Sequence, residues 1–536
     1  MQTLGATALF TLLTIAMTWP QATVLATHAR DHHDVYFNMW RLAWVSHALT
    51  TAPHDLFNGN IFFPEPRALT YSDAMIVEGL FATPLLVLGA PPVLVHNLLL
   101  LGAIIASATG VFVLARYLTG SAAAGSVAGI VFAFVPYRFE HYMHMEMQWT
   151  VWMPWAFWSL HRTLDSGRWK YSLLTGLFVS LQMLSSIYYG VFLIVLLGVF
   201  TLVQLLAMQV RSLPTTVARL IPAAIVTAIL CGAYSIPYLE TKKDVGGRAE
   251  REIMQYSARP SSYLVATPDN VLYGHVFASR GRPERRLFPG TLVVLLAIVG
   301  LFTRPERRAV ATIGYLLAMV LAYEMSLGIS GYSYRFLLDN VPVFQGFRAV
   351  ARLGIFVVFF LTVLGAFGFR ALGAGRRLFV RRLLLAAAVV ILVVEYRVRP
   401  LHLMPYENEA PSLHAWLATQ PRGVVAELPM RDDVPGSDPR TSYLSTFHWQ
   451  PIVNGYSGFV PQSYLDRLYD LRNFPDDESI HRLRKDGVRY VVVHLWEYPK
   501  DEAVLVVQAL TFRHGLPELK RFYGRYSEIR VYLLRS

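Results

Sequence analysis

Apolar runs of about 20 residues recur along the chain, broken by short polar turns. At a helical rise of about 1.5 Å per residue, each run is long enough to cross about 30 Å of hydrocarbon. The runs cover about 3–26, 93–115, 122–136, 150–163, 171–187, 190–210, 217–238, 289–303, 309–327, 352–371 and 382–397, which predicts about eleven membrane spans. Residues 74–90 are apolar too, but they hold Glu78, Gly79 and Pro84 and run into Pro91-Pro92, so they are expected to be interfacial or re-entrant. Residues 3–26 lack the positive leading region of a signal peptide and are expected to be a retained span.

After residue 398 the pattern changes to short mixed elements. SLHAWLATQP (412–421) and DEAVLVVQALTF (501–512) predict helices. GVVAELP (423–429), GVRYVVVHLW (487–496) and SEIRVYLLR (527–535) predict strands from their branched and aromatic content. The expected fold class is therefore mostly α. It is a polytopic membrane helix bundle over residues 1–398, with outer loops 27–92 and 239–288, followed by an extracytoplasmic α/β domain over 399–536.

Charge placement sets the expected orientation. The chain is 54% hydrophobic and 16% charged, against about 25% charged in an average soluble protein, so its net +12 needs a local explanation. Alternate turns hold Arg116; Arg162, Arg168 and Lys170; Arg211 and Arg219; Arg304, Arg307 and Arg308; and Arg370, Arg376, Arg377, Arg381 and Arg382. Basic residues are several times sparser in the other connections. The positive-inside rule then predicts a multi-pass protein of the plasma (inner) membrane, with a cytoplasmic amino terminus and an extracytoplasmic carboxyl-terminal domain. The same placement accounts for the basic balance without a nucleic-acid partner. A single cysteine, Cys231, excludes a disulfide within the chain and a cysteine-based zinc site.

The polar clusters gather on the expected outer side. Asp31, His32, His33 and Asp34 follow the first run, and Phe37, Trp40, Trp44 and Ala48 then recur at helical spacing. That stripe suits a helix lying along the headgroup boundary, which would hold an acid at the membrane surface. PYRFEHYMHMEMQ (136–148) places Arg138, Glu140, His141, His144 and Glu146 between two spans, where ionisable groups are expensive. His141 and His144 are three apart and share a helical face. With Asp31 or Asp34 they leave a divalent metal open as an alternative to a site with no metal and no cofactor. GFRAVARLGIF (346–356) puts Arg348 and Arg352 four apart at the start of a span, as a phosphate clamp or as interfacial arginines. Tyr188 and Tyr189 form an aromatic turn, read either as an ordinary interfacial belt or as a sugar-stacking platform. Loop 239–288 carries Glu240, Lys242, Lys243 and Asp244, then Arg280, Arg282, Arg285 and Arg286. HWQPIVNGYSGFVP (448–461) reads as a loop rich in hydrogen-bonding aromatics, and no G-x-S-x-G, P-loop or H-E-x-x-H motif is found.

Three features give the chain a resemblance to the GT-C class of integral membrane glycosyltransferases, close to an uncharacterised bacterial membrane-protein group of that fold. These are the acidic pair Asp31/Asp34 after the first span, the run ARYLTGSAAAGSVAGIVFAFVPYRF (115–139) with its basic inner turn and proline-rich exit, and a terminal soluble domain. The resemblance implies transfer of a hexose or pentose from a polyprenyl-phosphate donor to an extracytoplasmic glycan, lipid or protein, with inversion. It implies Asp34, or second Asp31, as the base, although the D-x-x-D spacing departs from the usual adjacent or once-separated acidic pairs. Arg138, Arg348 and Arg352 are then expected at the donor phosphate, and His141, His144, Tyr188 and Tyr189 at the substrate. A polytopic lipid or solute transporter or flippase, and a non-catalytic envelope-assembly protein, remain alternatives.

Overall fold

The computed structural model describes residues 2–277, 282–303, 308–430, 438–512, 516–523 and 528–535. Arg280, Arg304 and Arg307, singled out above, lie outside the described residues. The chain divides into two compact units. One comprises Met1–Leu25, Asn97–Leu239 and Gly246–Leu403; the other comprises Ala26–His96, Glu240–Val245 and Met404–Ser536.

The first unit is helical. Among the described residues six helices are long and apolar enough to cross a membrane: Pro92–Thr119, Ala122–Glu140, Ile187–Leu206, Val210–Val245, Ala309–Ser326 and Val350–Leu372. The first of these begins, and the fourth ends, with residues assigned to the other unit. They correspond to six of the eleven predicted runs, and the chain is a multi-span membrane protein. The other five runs are also helical but shorter or more charged. The first run is helical only over Gln2–Met17, not to residue 26, because Pro20 brings no amide hydrogen to continue the ladder. Trp152–Ser166 and Trp169–Ser185 have 15 and 17 residues, and Thr291–Phe302 has 12. Leu378–Tyr396 is long enough at 19 residues but carries Arg381, Arg382 and Glu395.

Gly354–Leu372 is the core of this unit, buried along nearly its whole length. It packs against Thr291–Phe302, Ala309–Ser326 and Ala122–Phe134. The crossing with Thr291–Phe302 depends on two glycines. A Cβ at Gly368 would lie 1.9 Å from the Leu296 carbonyl oxygen, and one at Gly300 would lie 2.1 Å from that of Leu364. Small residues at such crossings let backbones approach where lipid offers no hydrophobic drive.

The second unit begins with the helix His33–Thr51. Its first turn is capped by the His32 imidazole, which accepts the Asp34 N–H. The short helix Ile76–Val87 packs against it so closely that a Cβ on Gly79 would meet the Val45 side chain at 2.3 Å. At 12 residues it is about 18 Å long, the same length as Thr291–Phe302 in the other unit.

The rest of this unit is α/β. Strands β1 (Val424–Leu428), β2 (Val488–His494), β3 (Glu518–Tyr523) and β4 (Glu528–Leu533) form one sheet in the order β1-β2-β4-β3. β1 and β2 are parallel and the other pairs antiparallel. Apolar side chains of β1 and β2 pack with Leu483 and Leu510 in its core. The predicted elements are present as Ser412–Leu417, β1, β2, Lys500–Thr511 and β4. β3 was not foreseen.

Candidate functional site

The expected site residues fall into two groups, one in each unit. In the second unit, Asp31 is exposed just before the helix His33–Thr51. Asp34 sits in its first turn, where the helix dipole favours an anion. Its carboxylate accepts the Tyr456 hydroxyl at 2.7 Å and lies 3.4 Å from the His32 ring, and its side chain keeps 15% exposure. A reacting proton could therefore reach it while two side chains fix its direction.

The aromatic stripe does not lie on a lipid surface as expected. Phe37, Trp40, Trp44 and Ala48 are all buried inside this unit. The Trp40 N–H donates to Asn60 at 3.0 Å and the Trp44 N–H to the Leu56 carbonyl at 2.8 Å. Phe37 meets Tyr456 edge-on at 5.3 Å, and Trp44 packs beside Trp449. Indole N–H groups that find protein acceptors gain nothing from the headgroups, and the stripe reaches Asp34 only through Phe37, which packs on Tyr456. Tyr456 was not named from the sequence, but the signal was there in the aromatic loop 448–461.

In the first unit, Arg138 is fully buried and all three of its nitrogens donate within its own segment. Its acceptors are the Phe132 carbonyl at 2.7 Å, the Gln148 carbonyl and side chain at 3.1 and 3.2 Å, and the Thr150 hydroxyl. It ties the end of the helical run Ala122–Glu140 to the segment that leads into the helix Trp152–Ser166. Nearby, the His141 and His144 rings are 5.4 Å apart.

The hub of this group is Glu284, which sequence reasoning passed over because it stands among arginines in RGRPERRL. Its carboxylate lies 3.1 Å from Arg352 and 3.6 Å from His141. Burial would raise its pKa, but the Arg352 guanidinium and the two imidazoles outweigh that and hold it at about 2. Burial likewise pushes His141 down to about 3, against the pull of Glu284.

Arg348 and Arg352 do not share one α-helical face. Val350–Leu353 is a 3₁₀ turn and the α-helix starts at Gly354, so four-residue spacing does not stack them. They meet through Tyr188 instead. The Arg352 guanidinium stands 5.2 Å over its ring, and the backbone N–H of Arg348 donates to its hydroxyl at 3.0 Å. Arg348 also pairs with Glu252 at 3.2 Å and remains the more exposed of the two. Tyr189, the neighbour of Tyr188, is fully buried beside Phe356. Tyr188 thus touches the Arg352 guanidinium and the Arg348 backbone, and each guanidinium faces a carboxylate that an incoming anion could displace. Among the described residues, His141 and His144 are not part of a grouping with metal-holding geometry.

No family model matches the sequence, and no curated protein does. Solved structures do match. The apo oligosaccharyltransferase of Archaeoglobus fulgidus aligns with 94% of this chain and 71% of its own, at 13% identity and a TM-score of 0.51. The AglB oligosaccharyltransferase of the same organism, solved with an inhibitory peptide and a dolichol-phosphate, aligns with 98% of this chain and 74% of its own, at 12% identity and 0.47. ArnT from Cupriavidus metallidurans, bound to undecaprenyl phosphate, covers 98% of each chain at 13% identity and 0.41. The first carries the argument: over nearly its whole length this chain has the fold of an oligosaccharyltransferase, which is the GT-C membrane architecture expected from the resemblance.

Proposed function

We propose that the chain transfers a sugar from a polyprenyl-phosphate donor to an acceptor hydroxyl or amide on the extracytoplasmic side of the membrane. The observation that carries this reading is the fold shared with an oligosaccharyltransferase across 94% of the chain. Asp34, oriented by Tyr456, is the base. As the acceptor oxygen or nitrogen attacks the anomeric carbon, its proton passes to the carboxylate. The anomeric carbon–oxygen bond breaks on the opposite face, and the polyprenyl phosphate leaves with the bonding electrons. The outcome is inversion in one displacement. Arg348 and Arg352 are the cations for the leaving phosphate; Arg138 organises the segment that holds His141 and His144. The sugar, acceptor and orientation belong to the same proposal.

The test uses the full chain in proteoliposomes with a panel of polyprenyl-phosphate sugars. Asp34→Asn should lower transfer by about 10²–10⁴-fold, the usual worth of a general base, while Asp31→Asn keeps most of the activity and both variants melt like the parent. Full activity in Asp34→Asn removes the mechanism. Lipid or solute translocation without sugar transfer selects the transporter reading instead.

A further inference from the structure

We propose that the α/β unit binds one divalent transition-metal ion, Zn²⁺ by preference, between His414, Glu427 and His448, in a site that plays no part in the transfer chemistry above.

Three separate segments build the group. His414 comes from the helix Ser412–Leu417, and Glu427 is the fourth residue of β1. His448 enters with the segment that runs beside β1, where the Val425 N–H donates to the Pro451 carbonyl and the Val453 N–H to that of Val425. All three side chains are more than nine-tenths buried. One ligand atom from each lies within 4.8 Å of the others. Metal–nitrogen and metal–oxygen bonds of about 2.1 Å at tetrahedral angles place ligand atoms about 3.4 Å apart, so side-chain movements of about 1 Å close the set. The His414 and His448 rings are nearly parallel, 5.6 Å apart.

The second observation is unmet polar capacity. The His414 Nδ1, the Glu427 Oε1 and the His448 Nε2 are each buried without a hydrogen-bond partner, as is the Nδ1 of neighbouring His494. A buried polar atom left unpaired is costly, and here the unpaired atoms coincide with a three-ligand geometry. A cation in the middle of this group removes the cost for the three ligand atoms at once. The fourth residue does what metal sites ask of the groups around the ligands: His494 Nε2 binds the other Glu427 oxygen at 2.7 Å and fixes its direction. The Glu427 backbone is held as well, by paired bonds to the Asn454 side chain at 2.9 and 2.8 Å.

Two imidazoles and one carboxylate in an apolar interior suit Zn²⁺ and its borderline neighbours. Ca²⁺ and Mg²⁺ need oxygen-rich sets. Ligand rings must be deprotonated to bind, so metal uptake releases any proton they carry. Entry has one structural consequence. The Gln450 N–H donates to His448 Nδ1 at 3.0 Å, which leaves the ring proton on Nε2. Coordination through Nε2 moves that proton to Nδ1 and breaks the Gln450 contact, so one hydrogen bond is exchanged for a metal bond.

The experiment takes the full chain in detergent, purified without chelator, loaded with Zn²⁺, desalted and assayed for metal by mass spectrometry. One equivalent is expected in the parent and in His141→Gln/His144→Gln, and less than a tenth of that in Glu427→Gln and in His414→Gln/His448→Gln. Less than a tenth of an equivalent in a parent protein that melts cooperatively overturns the proposal. So does metal retained in His414→Gln/His448→Gln, or metal lost only with His141 and His144. Should the ligand variants fail to fold, X-ray absorption on the Zn²⁺-loaded parent decides. Imidazole nitrogens together with a carboxylate oxygen at about 2.0–2.1 Å support the site; a shell without imidazole overturns it.

Discussion

The helical unit and the α/β unit each bury a carboxylate, Glu284 and Glu427, and neutralise it in different ways. Burial alone would raise both pKa values, yet both are held at about 2. Glu284 owes this first to the Arg352 guanidinium, 3.1 Å away. Glu427 owes it to the His494 imidazole, 2.7 Å away, helped by His414 and His448. A guanidinium keeps its proton at any pH a protein survives. An imidazole can give its proton up, or yield its place at the carboxylate to another cation. The first arrangement is therefore a permanent ion pair beside the Tyr188 ring, suited to meeting a second anion. The second is a negative charge held through one oxygen by an imidazole, with its other oxygen unpaired beside two more imidazoles, suited to taking a metal. Similar burial and similarly lowered pKa values conceal two different chemistries, and only the partner tells them apart.

The comparison breaks most visibly if Arg352 is removed. Arg352→Met leaves Glu284 buried and uncompensated, which should cost about 3–5 kcal/mol in unfolding experiments on the detergent-solubilised chain. Arg352→Met/Glu284→Met should recover most of that stability, because an apolar pair of similar volume replaces a buried ion pair at little net cost. Sugar transfer should stay low in both if Arg352 meets the donor phosphate. Recovery of activity along with stability would reduce Arg352 to a structural partner of Glu284.

A smaller effect concerns acid. Glu284 titrates lower in the folded chain than its ordinary value near 4.5, so its stabilisation is complete above that pH and is lost as the pH falls towards 2. The shift corresponds to about 3 kcal/mol. His141 adds to the same limb: its folded value of about 3 lies below the ordinary 6.5, so its share fades as the pH falls from 6.5 towards 3. Glu284→Gln should therefore be less stable than the parent at neutral pH and should flatten the limb between pH 5 and 2. Its remaining slope should lie at the higher pH of the histidine. A limb parallel to that of the parent would mean that Glu284 is not charged and paired in the folded protein.

What the sequence disclosed follows from what each element buries. Long apolar runs are self-announcing, and β1 and β2 were legible because nearly every residue in them is buried. β3, ELKRFY, is exposed at almost every position at the edge of the sheet, and a polar edge strand has no pattern to read. Spacing misled at Arg348 and Arg352, where a 3₁₀ turn replaces the α-helix that four-residue periodicity assumes. Glu284 was hidden by its arginine neighbours. His414, Glu427 and His448 could not be grouped at all, since nothing local in a helix, a strand and a loop states that they share one interior. Asp34 was found because its segment is acidic, but the residue that aims it lies 422 positions further along.

That last pair offers the mildest and most specific test. Asp34 represents a third way of holding a carboxylate, by the neutral hydroxyl of Tyr456. Tyr456→Phe removes one hydrogen bond and keeps the ring that packs on Phe37. The stability loss should be about 1 kcal/mol, the usual net worth of such a bond. The loss of transfer should be larger in proportion, about tenfold and in kcat, because a base that swings freely is seldom in line with the proton it must take. KM should hardly move, since the hydroxyl is not proposed to touch substrate. A rise in KM with kcat intact would place Tyr456 in substrate binding. Unchanged kinetics would show that the cap by His32 and the helix turn orient Asp34 on their own. A loss as deep as that of Asp34→Asn would make the phenol itself a participant in the proton transfer, and the pair rather than the single carboxylate would be the base.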